Sequence, residues 1–278
     1  MDVSPPSELP PVRTVSRWRS WLSLALLTGY VLAVGLLALS RPEHQAPVLS
    51  RSSPGLLIAA GAELAIFGMV FAFAWLASRP SWDDLLLRWR GGFRVVPLGI
   101  AYSIALRLSV AIVMIIISTA LIASGAMSTE SLQEFFRANQ PRTETIVDPS
   151  TMRNDPIYFL LMLTVISFVV AGLREELWRS AFFSGLRALA PALFNSVKGQ
   201  IAAAAVAAIV FGVGHLAMGW LAVVMAALLG FGLGTIMLLH RSIWPAVIAH
   251  GLFDATTFVL LRSIDTTKLL TGSLPHVF

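Results

Sequence analysis

Apolar residues in this chain come in long, nearly unbroken runs rather than in the 3.6-residue or alternating patterns of water-soluble elements. The runs cover about residues 18–40, 56–77, 95–124, 156–191, 200–217, 220–239 and 243–262. A helix needs about 20 apolar residues to cross the hydrocarbon core of a bilayer. Within lipid the backbone must satisfy its own hydrogen bonds, as a helix does. The pattern therefore predicts an all-α, multi-pass transmembrane helical bundle of seven spans, or eight if the fourth run is divided. That fourth run is the outlier. At about 35 residues it is either one long tilted helix or a span followed by a second helix. Gly230 and Gly234, in the sixth run, have the small-xxx-small spacing that lets helices pack closely.

The polar segments divide the chain further. Residues 1–17 are polar and proline-rich, and a disordered tail is expected there. The run after them is too long for a signal-peptide core and reads as a retained first helix. The set 18–124 forms the N-terminal transmembrane helices, with a polar loop at 41–54. In 79–93, RPSWDDLLLRWRGGF, Ser81 is placed to cap a short interfacial amphipathic helix. Residues 125–155 form an extramembrane loop with a short helix near 130–139. A transmembrane core at 156–262 and a polar tail at 263–278 complete the chain.

Composition agrees. Hydrophobic residues make up 56% and charged residues 13%, where a soluble domain carries about 25% charged. The net charge of +5 is assigned to loops facing the cytoplasm, with membrane lipids and not nucleic acid as the partner. With the N-terminus inside, twelve basic residues fall on inner segments and seven on outer ones, which favours an N-inside, C-outside protein. The absence of cysteine excludes disulfides, thiolate metal sites and a cysteine nucleophile.

Ionisable groups inside apolar runs are costly, which makes them functional candidates. Glu63 and Arg107 are two such groups. Glu63 reads as a hydrated or hydrogen-bonded side chain, and Arg107 as a structural arginine paired with a carboxylate on a neighbouring helix. The denser set comes late, as Arg174, Glu175, Glu176 and Arg179, then His215, then His250 and Asp254. Glu175 and Arg179 are four apart, as are Phe211 and His215, and His250 and Asp254, so each pair shares one helix face. Carboxylates and imidazoles in a protected cavity are the inventory for activating water, with or without a metal. The donor types suit zinc, which keeps three protein ligands and a water in catalytic sites. The candidate ligands are His215, His250 and Glu175.

These motifs resemble those of the CPBP family of intramembrane proteases, also called the ABI or CAAX-protease family, which includes the type II CAAX prenyl endopeptidases. Its motifs EExxxR, FxxxH and HxxxN (or HxxxD) occur in that order. Here they read Glu175-Glu176-Leu-Trp-Arg179, Phe211-Gly-Val-Gly-His215 and His250-Gly-Leu-Phe-Asp254. The resemblance implies a membrane-embedded endopeptidase acting on a peptide or protein substrate, lipidated or not. It implies that Glu175 or Glu176 activates water with His215, that His250 and Asp254 hold the site or stabilise the oxyanion, and that Arg179 braces a glutamate. The first motif is one residue short, and Asp254 stands where Asn is commoner. Ionised Asp cannot donate a hydrogen bond as an amide would. The short motif keeps open a second reading, a catalytically impaired member acting as a scaffold, immunity or partner-binding protein. A proton-coupled transporter is a third reading, but the two repeated halves usual in such folds are not visible.

One conflict of depth follows from the runs. Glu175 lies well along its run towards the inner side, whereas His215 ends its own run near the outer side. They meet only if the fourth span starts outside the bilayer or the fifth is short.

Overall fold

The computed structural model describes residues 15–40, 49–143 and 146–263. Nearly all of the two expected tails, and part of the 41–54 loop, lie outside the described residues. The described residues form an all-α bundle. Helices α1 (Arg17–Leu39), α2 (Ser53–Ser78) and α3 (Val95–Ala123) are followed by two short helices, α4 (Thr129–Asn139) and α5 (Pro149–Asn154). Then come α6 (Pro156–Leu189), α7 (Val197–Val213), α8 (Trp220–His240) and α9 (Trp244–Ser263). Six of these are long and apolar enough to cross a membrane, and α7 is a shorter apolar helix of 17 residues. The protein is an integral, multi-pass membrane protein.

The fourth run is one continuous helix. Asp155 caps it, accepting hydrogen bonds from the backbone N–H groups of Ile157 (2.9 Å) and Tyr158 (3.0 Å). The 13-residue stretch Met162–Arg174 inside it is π-helical. Such segments are rare and are frequent at functional sites. Ser167 sits there, fully buried, and donates to the Met162 carbonyl five residues back at 2.8 Å. Gly172 lies where the helix meets α9, and a Cβ would stand 2.9 Å from the Val247 carbonyl oxygen.

The segment expected as an interfacial helix is a compact turn instead. Ser81 and Asp84 exchange hydrogen bonds at 2.7–3.1 Å, as the capping signal predicts. The turn ends at Leu86, whose φ of 54° is incompatible with a continuing right-handed helix. Its carbonyls serve other elements. Ser180 of α6 donates to Leu85, Ile243 N–H to Leu86 (2.9 Å) and Trp244 Nε1 to Leu87 (2.9 Å). The turn is thereby stitched to α6 and to the α8–α9 junction, and that tertiary bonding replaces the helical ladder.

The same contacts sort the ends of the bundle. One end holds the start of α1, the end of α2 and the 79–91 turn, with Arg19 bonded to the Leu76 carbonyl. The other end holds the 129–143 region, where Arg142 N–H donates to the Met218 carbonyl in the turn after α7. Counting from the first end resolves the conflict of depth. Glu176 lies 13 residues before Leu189 and Phe211 lies 14 residues after Val197. At about 1.5 Å per residue, both stand about 20 Å from that end. The long α6 begins far beyond this level, and the short α7 stops just past it.

Candidate active site

Glu176 and Arg179 are fully buried, at 0% exposure, and form an ion pair one turn apart on α6. The four-residue spacing suggested Glu175 as the arginine's partner, but it is Glu176, three residues away. Burial explains this, because an interior guanidinium needs a partner on the interior face. The Arg179 guanidinium also lies over the Phe211 ring, 4.8 Å from its centroid. Gly230 and Gly234 of α8 make the room. A Cβ at Gly230 would sit 3.0 Å from Phe211 Cδ1, and one at Gly234 would sit 3.0 Å from Phe183 Cζ and 3.5 Å from Arg179 Cδ. The small-xxx-small signal thus marks the seat of the arginine.

His250, 3% exposed, is the centre of the cluster. Its Nδ1–H donates to Glu176 Oε1 at 3.0 Å. Nε2 then faces Glu175 Oε2 at 3.7 Å and Asp254 Oδ2 at 3.9 Å. Glu176 is therefore held on both sides, by Arg179 and by His250. Glu175 keeps one oxygen towards His250, and its other oxygen accepts from Arg174 at 2.6 Å.

His215 stands just beyond the end of α7, half-buried. Its Nδ1 donates to the Phe211 carbonyl at 2.8 Å. A carbonyl can only accept, so the proton is on Nδ1 and the acceptor lone pair of a neutral ring is on Nε2. The Phe211 ring packs against both imidazoles, with centroids 4.6 Å from His215 and 6.3 Å from His250. The structure thus brings Glu175, Glu176, His250, Asp254 and Arg179 into direct contact, and joins His215 to them through Phe211. Among the described residues no three His, Asp or Glu side chains converge as a ligand set for one ion. Glu175, His215 and His250 do not form one in this arrangement.

Several partners of the site carry no motif. Arg174 reaches Glu63 of α2 (2.6 Å) and the Tyr30 hydroxyl of α1 (2.8 Å), so Glu63 is the carboxylate of a partly buried ion pair. Arg107 of α3 donates to the Phe253 carbonyl (2.7 Å) and to Thr256 Oγ1 (2.5 Å), and lies over the Phe253 ring. Its hydrogen-bond partners on α9 are thus a carbonyl and two hydroxyls, the second being Thr257 Oγ1 at 3.4 Å, and the carboxylate whose charge it interacts with is Asp254 of the same helix. A charged residue inside an apolar run was the one available signal for both Glu63 and Arg107. Nothing in sequence pairs them across 111 and 146 positions.

A buried carboxylate–imidazole cluster inside a bundle of membrane-length helices defines the class, a membrane protein with a polar site enclosed in its core. Residues 156–256 match the family model described as Type II CAAX prenyl endopeptidase Rce1-like. That segment contains all three motifs and is similar to the CPBP or CAAX-protease family of membrane proteases. No curated protein and no solved structure matches the chain.

Proposed function

We propose that the protein is an intramembrane endopeptidase that hydrolyses a peptide bond near or within the membrane, with water activated by Glu175 and His215. The observation that carries this reading is the division of labour around His250. Glu176 is committed to Arg179 and to His250 Nδ1, while Glu175 keeps Oε2 turned into the cluster at 3.7 Å from Nε2. Glu175 is therefore the carboxylate able to take a proton from water.

In this reading the water oxygen attacks the scissile carbonyl carbon and its proton passes to Glu175. The tetrahedral intermediate collapses with cleavage of the C–N bond, and the proton is returned to the leaving amine. His215 Nε2 orients the water, because its Nδ1 is tied to the chain. His250 is held in place by Glu176 and polarises the reacting centre. Asp254 orients His250, since an ionised carboxylate offers no proton to an oxyanion. A divalent metal, zinc first by donor type, would supply Lewis-acid polarisation, and no step above depends on it.

The test uses purified full-length protein in nanodiscs with a membrane-anchored reporter peptide, with and without a C-terminal prenyl group. His215→Ala and Glu175→Gln are expected to lower cleavage at least about a hundredfold, the usual worth of a positioned acid–base group, while folding is retained. Full activity of His215→Ala would sink the reading. Metal analysis of the purified protein, with cleavage after chelation and after zinc is restored, tests metal assistance separately. The contact between Arg174 and Glu175 favours a second reading, a non-catalytic partner-binding member, because it occupies an oxygen of the base. Reporter cleavage by the wild type that is lost in Glu175→Gln rejects it.

A further inference from the structure

The three nitrogens of Arg174 are all engaged, Nε and Nη2 by groups of α6 itself and Nη1 by α2 and α1. Nε donates to the Val170 carbonyl one turn back in α6 at 2.8 Å. Nη1 donates to Glu63 Oε1 of α2 at 2.6 Å and to the Tyr30 hydroxyl of α1 at 2.8 Å. Nη2 donates to Glu175 Oε1 at 2.6 Å. The Arg174 side chain is 11% exposed, that of Glu175 17% and that of Glu63 27%. A guanidinium is planar and presents its donors as a rigid fork. Contacts at all three nitrogens therefore fix its plane, and with it the carboxylate oxygen it holds.

We infer that Glu63 and Tyr30, on the two N-terminal helices, are positioning residues of the active site. They fix the Arg174 guanidinium so that it holds Oε1 of Glu175 and leaves Oε2 turned towards His250. The proposal rests on Glu175 being the catalytic base. Its physical core is competition. Arg–carboxylate pairs are frequently bidentate, and a guanidinium with Glu175 as its one carboxylate would cover both oxygens. Glu63 occupies Nη1, so Arg174 meets Glu175 through Nη2 alone. Oε2 stays free for water. The site is thus completed from outside the family-matched segment, which begins at residue 156. An arginine directly before the glutamate pair is compatible with catalysis because α1 and α2 supply its other partners.

The test has a kinetic and a substrate-free arm, both on full-length protein in nanodiscs. In the kinetic arm, Glu63→Gln, which keeps side-chain shape and removes the charge, is expected to lower kcat about tenfold or more, the scale on which small misplacements of reacting groups act. KM is expected to stay within about twofold, since substrate contacts are untouched. Glu63→Asp is expected to recover most of the loss and Tyr30→Phe to show a smaller one. Wild-type kcat in a folded Glu63→Gln protein, or an equal loss in Glu63→Asp, overturns the proposal.

The substrate-free arm is a melting-temperature cycle of Glu63→Gln and Glu175→Gln. The two residues meet through Arg174. Losing both leaves a buried cation unpaired, so the drop in the double variant is expected to exceed the sum of the single drops. The excess is expected to vanish when Arg174→Gln is present. Additive drops overturn the proposal. A wild-type protein that cleaves nothing refutes the protease reading, and the melting cycle still decides whether Arg174 couples the two glutamates.

Discussion

At the scale of single residues the site is a set of paired charges whose partners decide which group is free to react. The motif residues were legible in sequence because each motif is local. Four-residue spacing puts His250 and Asp254 on one helix face, and they do stand together. For Arg179 the spacing offers two neighbours, at three and at four residues, and burial chooses between them. The three-residue partner, Glu176, is the one turned inward. That choice has a measurable consequence. Arg179→Met leaves Glu176 as an uncompensated buried charge, and breaking such a pair costs about 3–5 kcal/mol. A large loss of stability in detergent unfolding is expected. The double variant Arg179→Met with Glu176→Gln is expected to recover part of it, and equal instability of the single and double variants would remove the pairing argument.

At the scale of elements, the runs of apolar residues gave the helices with boundaries near those observed, because lipid leaves the backbone few alternatives. What they could not give was structure determined across the bundle. The turn ending at Leu86 is held by partners on α6 and at the α8–α9 junction, and the π-helical stretch of α6 has no sequence marker of its own. Two substitutions probe elements that matter for the site. Gly230→Ala places a methyl 3.0 Å from the Phe211 ring, which is itself held against Arg179. Overpacking of this kind costs about 1–3 kcal/mol, so a lower melting temperature and reduced cleavage are expected together. Asp155, the cap of α6, lies outside the span, and the hydrogen bond from Tyr158 N–H is the leading cause of its lowered pKa. A depressed folded pKa means that the charged cap stabilises the fold above the unfolded value, about 3.9, and that this is lost as pH falls through the folded value. Asp155→Asn keeps the acceptor oxygen and removes the charge. The wild type is expected to melt higher than the variant near neutrality, with the gap closing in acid. A gap independent of pH would show that the charge contributes nothing.

At the scale of the whole molecule, the two ends of the bundle differ in what they carry. The 79–91 turn brings Arg88 and Arg90, both paired with Asp83, together with exposed Trp82 and Trp89. Aromatic residues of this kind sit at either membrane interface, and basic ones are commoner on the cytoplasmic side. The end that carries α4 and α5 is reached from there by crossing α3, and the turn after α7 returns to it, as the bond between Arg142 and Met218 shows. The short α7 and the turn after it therefore run from one end of the bundle to the other, and the start of α1 and the end of α9 lie at opposite ends. The chain lacks cysteine, so single cysteines report each side without background. Trp82→Cys, at a residue 72% exposed, and Ser131→Cys, on the exposed face of α4, are the two probes. An impermeant maleimide is expected to label Ser131→Cys in intact cells and Trp82→Cys in inverted vesicles. Labelling of both from one side would mean that α3 does not cross, and the common level of Glu176 and Phe211 inside the membrane would fail with it.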